Sequence, residues 1–244
     1  MRKVLLITNI PAPYTVDLLY YMQTHNEDNE FFVLYTAKGE DNREWKMDKD
    51  KLINTSFSSS KIIKIKTKLD FRYIHIPINI TKCIDKIEPD IIISWEYNLA
   101  AVLSLNWCRR KKKKYISLTE GTLTSERDLW FIQICTRRYI SQKADAFIVS
   151  GIKAKEKLLS WGVDERRIFT ALLTVDVNPY LRIHRSGTRN IILYVGSLTE
   201  RKGLDLLINA LPLIQSDYIV HIVGNGSEEN RKKLQKLALS NGVE

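Results

Sequence analysis

The segment Asn190–Ile214 has the sequence NIILYVGSLTERKGLDLLINALPLI, and Tyr218–Ala238 follows as YIVHIVGNGSEENRKKLQKLA. Ile191–Val195 is a continuous apolar run, which is typical of a parallel strand buried on both faces. Leu204–Ile214 has apolar residues at helical spacing, and a second apolar strand leads into a second glycine turn. This order of strand, glycine turn, helix, strand, glycine turn and helix predicts the opening of an α/β domain.

The glycine turns of this segment indicate a phosphate site. A loop between a strand and a helix directs backbone N–H groups and a helix N-terminus at one point, which suits an anion. Lys202 adds a point charge there. The alternative is that Gly196 and Gly203 only permit the turn and close helix packing. Gly224 and Gly226 form either a second phosphate-facing turn or only a tight connection between strand and helix.

These residues resemble the start of the C-terminal domain in family 4 of the retaining glycosyltransferases, which have the GT-B fold. That family shows V-G, K-G and V-G-x-G in this order, and the matching residues here are Val195-Gly196, Lys202-Gly203 and Val223-Gly224-Asn225-Gly226. The resemblance extends more loosely over nearly the whole chain. It implies transfer of a hexose from a nucleotide-diphosphate donor to an acceptor hydroxyl, with retention, in the biosynthesis of cell-surface polysaccharide or glycolipid. It implies no cofactor and no metal, because the nucleotide sugar is a substrate.

The resemblance also implies which residues contact the donor: Gly196, Ser197, Arg201, Lys202, Gly203, Gly224 and Gly226. Family members commonly have a basic residue directly after the first glycine, whereas this chain has Ser197, and Arg201 is nearby but out of register. The family places a glutamate pair, E-x7-E, further along this domain, and this chain ends at Glu244 before that point. We therefore expect a C-terminally truncated sequence that has little or no transfer activity by itself.

Length and composition restrict the other possibilities. The 244 residues suffice for one large or two modest domains, and ordinary apolar and charged fractions argue against wholesale disorder. The net charge of +10 favours anionic partners. The cysteines lack a C-x-x-C pattern and indicate reduced thiols, and the histidines lack metal-ligand spacing, so we predict no metal site. These residues are Cys83, Cys108, Cys135, His25, His75, His184 and His221.

Strand and helix patterns alternate from the N-terminus onward, which predicts a doubly wound parallel sheet with helices on both faces. Lys38–Ser60 is polar and without periodicity, so we expect a long surface loop with local helix, and Ile62–Ile65 is a short strand candidate. We expect an acceptor-side domain over residues 1–173, a linker over 174–189 and an incomplete nucleotide-sugar domain over 190–244. The family's V-D crossover pattern matches Val175-Asp176 and supports this boundary.

Three segments that follow predicted strands carry candidate acceptor-side or catalytic residues, since ligands of open α/β sheets bind at the carboxyl ends of strands. Pro11, Pro13 and Tyr14 form a stiff turn into a helix, or else only shape that turn. Glu120 is a candidate for orienting or deprotonating an acceptor hydroxyl. The alternative for Glu120 is a favourable position near a helix N-terminus. Glu96 is a further cleft candidate on the same positional ground.

A run of six basic residues is the remaining feature: Arg109, Arg110, Lys111, Lys112, Lys113 and Lys114. It is either a solvated surface turn or a contact with anionic lipid or a lipid-linked acceptor. No RNA- or DNA-binding signature accompanies the run, which argues against nucleic acid as a partner. Leu129–Ser141 is predicted to pack on the sheet, with a membrane-facing helix as the alternative.

No segment approaches the length of a membrane span, and the N-terminal run is better interpreted as a first strand than as a signal peptide. We expect a cytoplasmic protein that can associate peripherally with the inner face of the membrane. Two rival classes stay open at this point. One is a non-catalytic module that binds a membrane or a partner, and the other is a different GT-B enzyme such as a nucleotide-sugar epimerase.

Overall fold

A computed structural model describes residues 1–40, 45, 48–66, 71–183 and 190–243 of the chain. Contacts between Cα atoms divide the chain into two compact units. Unit 1 comprises Met1–Ile63 and Tyr73–Asn178, and unit 2 comprises Lys64–Arg72 and Pro179–Glu244. The division after Asn178 falls within the stretch 174–189 that the sequence marks as a linker, of which residues 184–189 lie outside the described part.

Strands and helices alternate along the described chain. The strands are β1 (Arg2–Thr8), β2 (Asn29–Tyr35), β3 (Thr55–Phe57), β4 (Ser60–Lys66), β5 (Phe71–Pro77), β6 (Ile91–Trp95), β7 (Lys114–Thr119), β8 (Ala146–Val149), β9 (Ile168–Thr170), β10 (Ile191–Val195) and β11 (Ile219–Val223). The helices are α1 (Pro13–Thr24), α2 (Ile80–Ile87), α3 (Leu99–Lys111), α4 (Phe131–Lys143), α5 (Ile152–Ser160), α6 (Asn178–Leu181), α7 (Leu204–Ala210) and α8 (Glu228–Ser240).

The centre of unit 1 is a seven-stranded parallel sheet in the order β3-β2-β1-β6-β7-β8-β9. The central strands are apolar and largely buried, as parallel strands covered by helices require. A large buried cluster packs against the sheet and includes Leu5, Ile92, Leu105 and Phe147. A smaller cluster around Leu6, Val16 and Leu19 packs α1 against the first strands. The predicted α/β class and parallel sheet are therefore confirmed.

Unit 2 has a sheet of two parallel strands, β10 and β11, which pair in register from Ile191 with Ile219 to Val195 with Val223. Leu198, Leu204 and Ile208 form its buried cluster, against which residues of α7 and α8 pack. Both strands keep exposed apolar side chains, with Val195 at 70% and Leu193 at 60% relative exposure. The core of unit 2 is thus small and lies mainly between the turn after β10 and the two helices.

The strand expected at Ile62–Ile65 is confirmed, and two further strands appear that the sequence analysis did not predict. The predicted loop Lys38–Ser60 contains a short strand, β3, that adds to the edge of the main sheet beside β2. Of this loop, residues 41–44, 46 and 47 lie outside the described residues. The predicted strand Ile62–Ile65 belongs to β4, which pairs with a strand the sequence did not reveal, β5, in a separate sheet. An arginine, a histidine and a terminal proline in FRYIHIP obscured the strand pattern of β5.

Candidate functional site

The carboxyl ends of β1 and β6 form the centre of the candidate site in unit 1. β1 has β2 on one side and β6 on the other, so the connections that leave β1 and β6 run in opposite directions along the sheet. Ligands of open α/β sheets bind at such a point. The residues that follow the two strands meet here, because the Asn98 Nδ2 donates to the Asn9 Oδ1 over 3.1 Å. Asn98 also caps α3 by accepting from the Ala101 N–H at 2.9 Å.

Glu96 follows β6 directly and has an unusual backbone conformation. Its φ of +74° lies in the left-handed region, which a glutamate adopts at a free-energy cost of about 1–2 kcal/mol. The Glu96 N–H donates to the Leu118 carbonyl at 3.0 Å and so continues the pairing of β6 with β7. Although Glu96 reaches solvent, the surrounding protein atoms desolvate its carboxyl group and raise its pKa. The nearby Glu120 carboxylate raises this pKa further, and Arg137 opposes the shift.

Glu120 follows β7, the strand beside β6, and is held by a neighbouring indole. The Trp95 Nε1 donates to the Glu120 Oε1 over 3.1 Å, and Trp95 itself is buried. Glu96 and Glu120 therefore occupy the same end of adjacent strands, as the sequence predicts. A carboxyl group whose pKa is raised toward neutrality is a better proton acceptor for a hydroxyl. The arrangement can orient an acceptor hydroxyl and take up its proton.

Behind this edge lies a buried ion cluster. The Glu126 Oε1 accepts from the Arg137 Nε and Nη2 at 2.9 Å each, and the Glu126 Oε2 accepts from the Lys157 Nζ at 2.9 Å. Both cations also lie over the Tyr97 ring at 5.1 Å from its centre, which adds cation–π attraction. The Lys157 side chain has no exposed surface, and 13% of the Glu126 side chain is exposed. Tyr97 directly follows Glu96, so this cluster supports the backbone at the candidate site.

The pKa values of the two partners respond to the same ion pair in different ways. Desolvation lowers the pKa of the Lys157 ammonium group, and the Glu126 carboxylate only partly offsets this effect. Desolvation raises the pKa of Glu126, but bonds from Arg137 and Lys157 outweigh it, so the net pKa of Glu126 is lowered. The two pKa shifts differ because the Lys157 ammonium group is fully buried and has one carboxylate partner. Glu126 is less buried and is bonded to two cations. The ionised carboxylate is therefore the centre of the cluster.

A second group at the same edge was missed by the sequence analysis. The Thr36 Oγ1 lies 2.9 Å from the His75 Nδ1, and the His75 Nε2 lies 3.0 Å from the Glu40 Oε1. The Thr36 hydroxyl also donates to the Asn9 carbonyl at 3.2 Å. A hydroxyl, an imidazole and a carboxylate in this order resemble an acid–base relay. Thr36 is fully buried, however, so we assign the group to positioning the backbone of Asn9.

The proline turn lies beside Asn9 and leads into α1. Pro11 is buried, whereas Pro13 is the first residue of α1, where a missing N–H group is tolerated. Tyr14 is 47% exposed and its ring lies edge-on to Trp45 with 6.4 Å between ring centres. Together with Asp17 and Asp176, Tyr14 lines a groove of about 470 Å³ along α1. Pro13 and Tyr14 are both exposed, and of the three turn residues Tyr14 lines this groove.

The basic run lies at the opposite edge of the sheet. α3 starts at the carboxyl end of β6 and ends at Lys111, and β7 starts at Lys114, so the run is at the amino ends of the strands. Lys113 pairs with Asp90 at 2.7 Å and Lys114 pairs with Asp145 at 2.8 Å. Arg109, Arg110, Lys111 and Lys112 are exposed. The run is therefore separated from Glu96 and Glu120 by the length of the strands.

In unit 2 the two predicted glycine turns pack directly on each other. The Gly196 N–H donates to the Val223 carbonyl and the Leu198 N–H donates to the Asn225 carbonyl, both at 2.9 Å. A Cβ atom on Gly224 would lie 1.8 Å from the Gly196 carbonyl oxygen, and one on Gly226 would lie 2.6 Å from the Leu198 Cβ. Close approach of the two turns thus requires both glycines. The N–H groups of Gly196 and Leu198 are already used and are not available to a phosphate.

The other predicted donor residues line the loop between Gly196 and α7. Gly203 has a φ of +66°, the left-handed conformation that favours glycine at the start of α7. Lys202 is exposed and has no ion-pair partner among the described residues, so its ammonium group is available to an anion. Ser197 is half-buried, and Arg201 is exposed beside Lys202. At α8 the Ser227 Oγ accepts from the Asn230 N–H at 3.1 Å, and Glu228 and Glu229 follow, so this helix start disfavours an anion.

Neither metal ligation nor a membrane span has support in the described part of the chain. Residues 1–40, 45, 48–66, 71–183 and 190–243 contain no group of three or more metal-ligating side chains. Within the same ranges, none of the helices combines the length and the apolar character that crossing a bilayer demands.

Comparison with known proteins identifies the fold. The sequence model of the family described as glycosyl transferases group 1 matches residues 180–244. A crystal structure of HepE from Anabaena in complex with UDP superposes with a TM-score of 0.72 at 12% identity, over 100% of this chain and 67% of HepE. HepE in complex with UDP-glucose gives a TM-score of 0.71 at 14% identity, with the same coverage. No curated protein sequence matched the chain.

Epimerases of nucleotide sugars share this fold. A putative UDP-N-acetylglucosamine 2-epimerase from Listeria monocytogenes superposes with a TM-score of 0.62 at 17% identity, over 96% of this chain and 66% of the epimerase. The UDP-GlcNAc 2-epimerase from Neisseria meningitidis, bound to UDP-GlcNAc, gives 0.59 at 14% identity, over 99% and 70%. The chain therefore has a GT-B-type, glycosyltransferase-like fold, and its residues 180–244 have the sequence pattern of group 1 glycosyl transferases.

Proposed function

We propose that the protein functions in the transfer of a sugar from a nucleotide-diphosphate donor to an acceptor hydroxyl. The observation that carries this proposal is the match of residues 180–244 to group 1 glycosyl transferases, which includes Gly196, Lys202 and Gly203. The structures of similar fold were determined with UDP, UDP-glucose or UDP-GlcNAc, so we propose a UDP-sugar as the donor. Transfer would proceed with retention of the anomeric configuration, in polysaccharide or glycolipid biosynthesis.

The charges of unit 2 support a role for Lys202 at the donor diphosphate. The departing group in such a reaction is an anion, and a cation already in place stabilises it without reorganisation. Lys202 is exposed and unpaired among the described residues, whereas the nearby Lys233 is bonded to Glu200 at 2.9 Å. Among the described residues of this loop, Lys202 is thus the cation best placed to pair with a diphosphate.

On the acceptor side, Glu96 and Glu120 would orient the hydroxyl. Their positions at the ends of adjacent strands bring two acceptors of hydrogen bonds to one place, and Asn9 and Asn98 add amide groups. The raised pKa of Glu96 suits it to accept the proton. We further propose that the chain alone transfers sugar slowly, because the family's glutamate pair does not occur in it after Gly226.

Ligand-detected NMR tests the donor proposal without a known acceptor. We expect saturation transfer from the protein to the uridine protons of UDP-glucose. The affinity obtained by titration should be about tenfold lower for Lys202→Ala. Lys236→Ala is the matched control, because it removes the same charge from an exposed position on α8. An absence of saturation transfer for the wild type, or equal losses for both variants, would refute the donor assignment.

The same samples distinguish transfer from epimerisation. An epimerase converts UDP-GlcNAc without any acceptor, and the new sugar configuration is visible in the anomeric proton signals. We expect no such conversion by this chain. Rapid acceptor-independent conversion of UDP-GlcNAc would replace the proposal with an epimerase function.

A further inference from the structure

α4 (Phe131–Lys143) has an inverted amphipathic pattern in its first two turns. An ordinary surface helix buries its apolar face and exposes its polar face. Here Gln133, Thr136 and Arg137 are partly buried, whereas Phe131, Ile132, Ile134 and Cys135 are exposed. Only from Tyr139, which packs against the main core cluster, and Ile140, which is fully buried, does the helix place apolar residues toward the core. The apolar side of this helix start is therefore directed away from unit 1.

The exposed side chains form one contiguous surface, which we name the α4 patch: Trp130, Phe131, Ile132 and Ile134. Their relative exposures are 70%, 82%, 70% and 36%, and Leu123 in the preceding loop is 54% exposed. Single exposed apolar residues are common, but a contiguous aromatic and aliphatic patch marks an interaction surface. A Trp-Phe-Ile sequence at one helix start is such a patch.

Bonds on the inner side hold the helix in this orientation. The Trp130 N–H donates to the Gln133 Oε1 at 3.0 Å and so fixes the first turn. One turn further, the guanidinium of Arg137 makes two bonds of 2.9 Å to the buried Glu126. Rotating the α4 patch inward would break these bonds and leave the partly buried Glu126 carboxylate with Lys157 as its remaining bonded cation. The exposure of the patch is thus built into the fold.

We propose that the α4 patch inserts into the interfacial region of an anionic phospholipid bilayer. Tryptophan and phenylalanine are the residues that anchor proteins at this depth. α4 has two exposed basic residues, Arg138 and Lys143, and no acidic residue, and the chain as a whole has a net charge of +10. Asp128, the nearest acid before the patch, is paired with Arg127 at 3.2 Å. The surface therefore combines an exposed apolar patch with basic residues on the same helix, which complements an anionic membrane.

The α4 patch lies on the same edge of the sheet as the candidate site, so membrane binding would bring that site close to the bilayer. α4 begins beyond the carboxyl end of β7, on the edge of the sheet that holds Glu96 and Glu120. The basic run at residues 109–114 lies at the other edge, so the two surfaces make different predictions for lipid contact. The inference does not depend on the proposed sugar transfer, because vesicle binding is measured without any nucleotide sugar.

Cys135 provides a reporter on the patch itself. It is exposed, whereas burial raises the pKa of Cys83 and raises the pKa of Cys108 to about 12, so a maleimide reacts preferentially with Cys135 near neutral pH. A polarity-sensitive dye at Cys135 should shift to shorter wavelength on vesicles with about one third phosphatidylglycerol, and less on neutral phosphatidylcholine. Co-sedimentation of unlabelled protein with the same vesicles gives the affinity.

Three variants test the assignment. Trp130→Ser/Phe131→Ser should lower the vesicle partition coefficient at least about tenfold. Ile78→Ser/Ile152→Ser removes side chains of similar exposure, 74% and 72%, elsewhere on unit 1 and should change little. Replacing each of the four basic residues Arg109–Lys112 with glutamine should lower the vesicle partition coefficient less than the patch variant does. Circular dichroism checks that each variant is folded.

Three outcomes would overturn the inference. The first is wild-type protein that sediments with neither vesicle, and the second is a larger loss with the glutamine variant than with the patch variant. The third is a patch variant that binds vesicles normally but no longer self-associates in analytical ultracentrifugation, which would assign the patch to a second copy of the chain.

Discussion

Replacing Glu126 with glutamine is expected to be among the most destabilising single changes in unit 1. The substitution keeps the size of the side chain but removes the charge that Arg137 and Lys157 share. Removing one partner of a buried ion pair costs about 3–5 kcal/mol, because the remaining charge stays desolvated and unpaired. Lys157 has no exposed side-chain surface, and a glutamine oxygen still accepts one bond, so we expect about 3 kcal/mol.

Urea unfolding followed by tryptophan fluorescence measures this effect for unit 1 alone, because Trp45, Trp95, Trp107, Trp130 and Trp161 all belong to that unit. With an m-value of about 3 kcal/mol per molar, a loss of about 3 kcal/mol lowers the midpoint by about 1 M. Glu156→Gln is the matched control, since it breaks the exposed pair with Lys153 and should cost less than about 1 kcal/mol. The double variant Glu126→Gln/Lys157→Met should lose less than the sum of its single changes.

The pH dependence provides an independent check. The pKa of Glu126 is lowered in the folded state, so its contribution is present above the ordinary carboxyl pKa and is lost as the pH falls through the lowered value. The difference between wild type and Glu126→Gln should therefore shrink below about pH 4. If the midpoint of Glu126→Gln at neutral pH equals that of Glu156→Gln, the cluster is hydrated and the reasoning from burial is wrong.

Three further predictions concern other parts of the chain. Gly224→Ala should destabilise unit 2 by at least about 2 kcal/mol, because the new Cβ would lie 1.8 Å from the Gly196 carbonyl oxygen. Faster amide exchange in β10 and β11 would show this, while Gly39→Ala, which has open space, should leave exchange unchanged. Glu96→Gln should stabilise unit 1 at neutral pH, because a raised folded pKa means that stability is lost as the pH rises past the ordinary carboxyl value. The gain should vanish near pH 3, and a gain that persists there would argue against an electrostatic cause. Finally, amides of β10 should exchange faster than those of β6 in the wild type, since β10 has exposed side chains and pairs, within the part of the chain that the structure describes, with one strand. Equal protection would show that unit 2 is as stable as unit 1.

The sequence predicted the regular parts of the fold closely. Ile91–Trp95 is apolar except for Ser94, Ala146–Val149 is a continuous apolar run, and both strands have these bounds in the structure. The placement of Glu96 and Glu120 at one edge also followed from the sequence, because parallel strands end on the same side. The bond from Trp95 to Glu120 and the electrostatic effect of Arg137 on Glu96 did not, since they depend on side-chain orientation.

Contacts between residues far apart in sequence were not predictable in the same way. His75 is 39 residues from Thr36 and 35 residues from Glu40 along the chain, and nothing in their local sequence indicates that they meet. For α4, apolar spacing predicted a helix that packs on the sheet, but spacing alone does not show which face packs. Glu126 lies 11 positions before Arg137 in sequence, and its charge draws the polar face of α4 inward, which determines the exposure of Trp130 and Phe131.

The two-stranded sheet of unit 2 bears on how the protein behaves at high concentration. β10 and β11 each have one strand neighbour within the described residues, so the outer side of each strand offers unpaired backbone groups. Exposed valine, leucine and isoleucine side chains on these strands add an apolar surface that another strand can cover. Unit 2, rather than the well-covered sheet of unit 1, is thus where intermolecular strand addition would begin. Dilute solutions should therefore limit this association during purification and storage, and charged substitutions on the exposed faces of β10 and β11 are a direct means of preventing it.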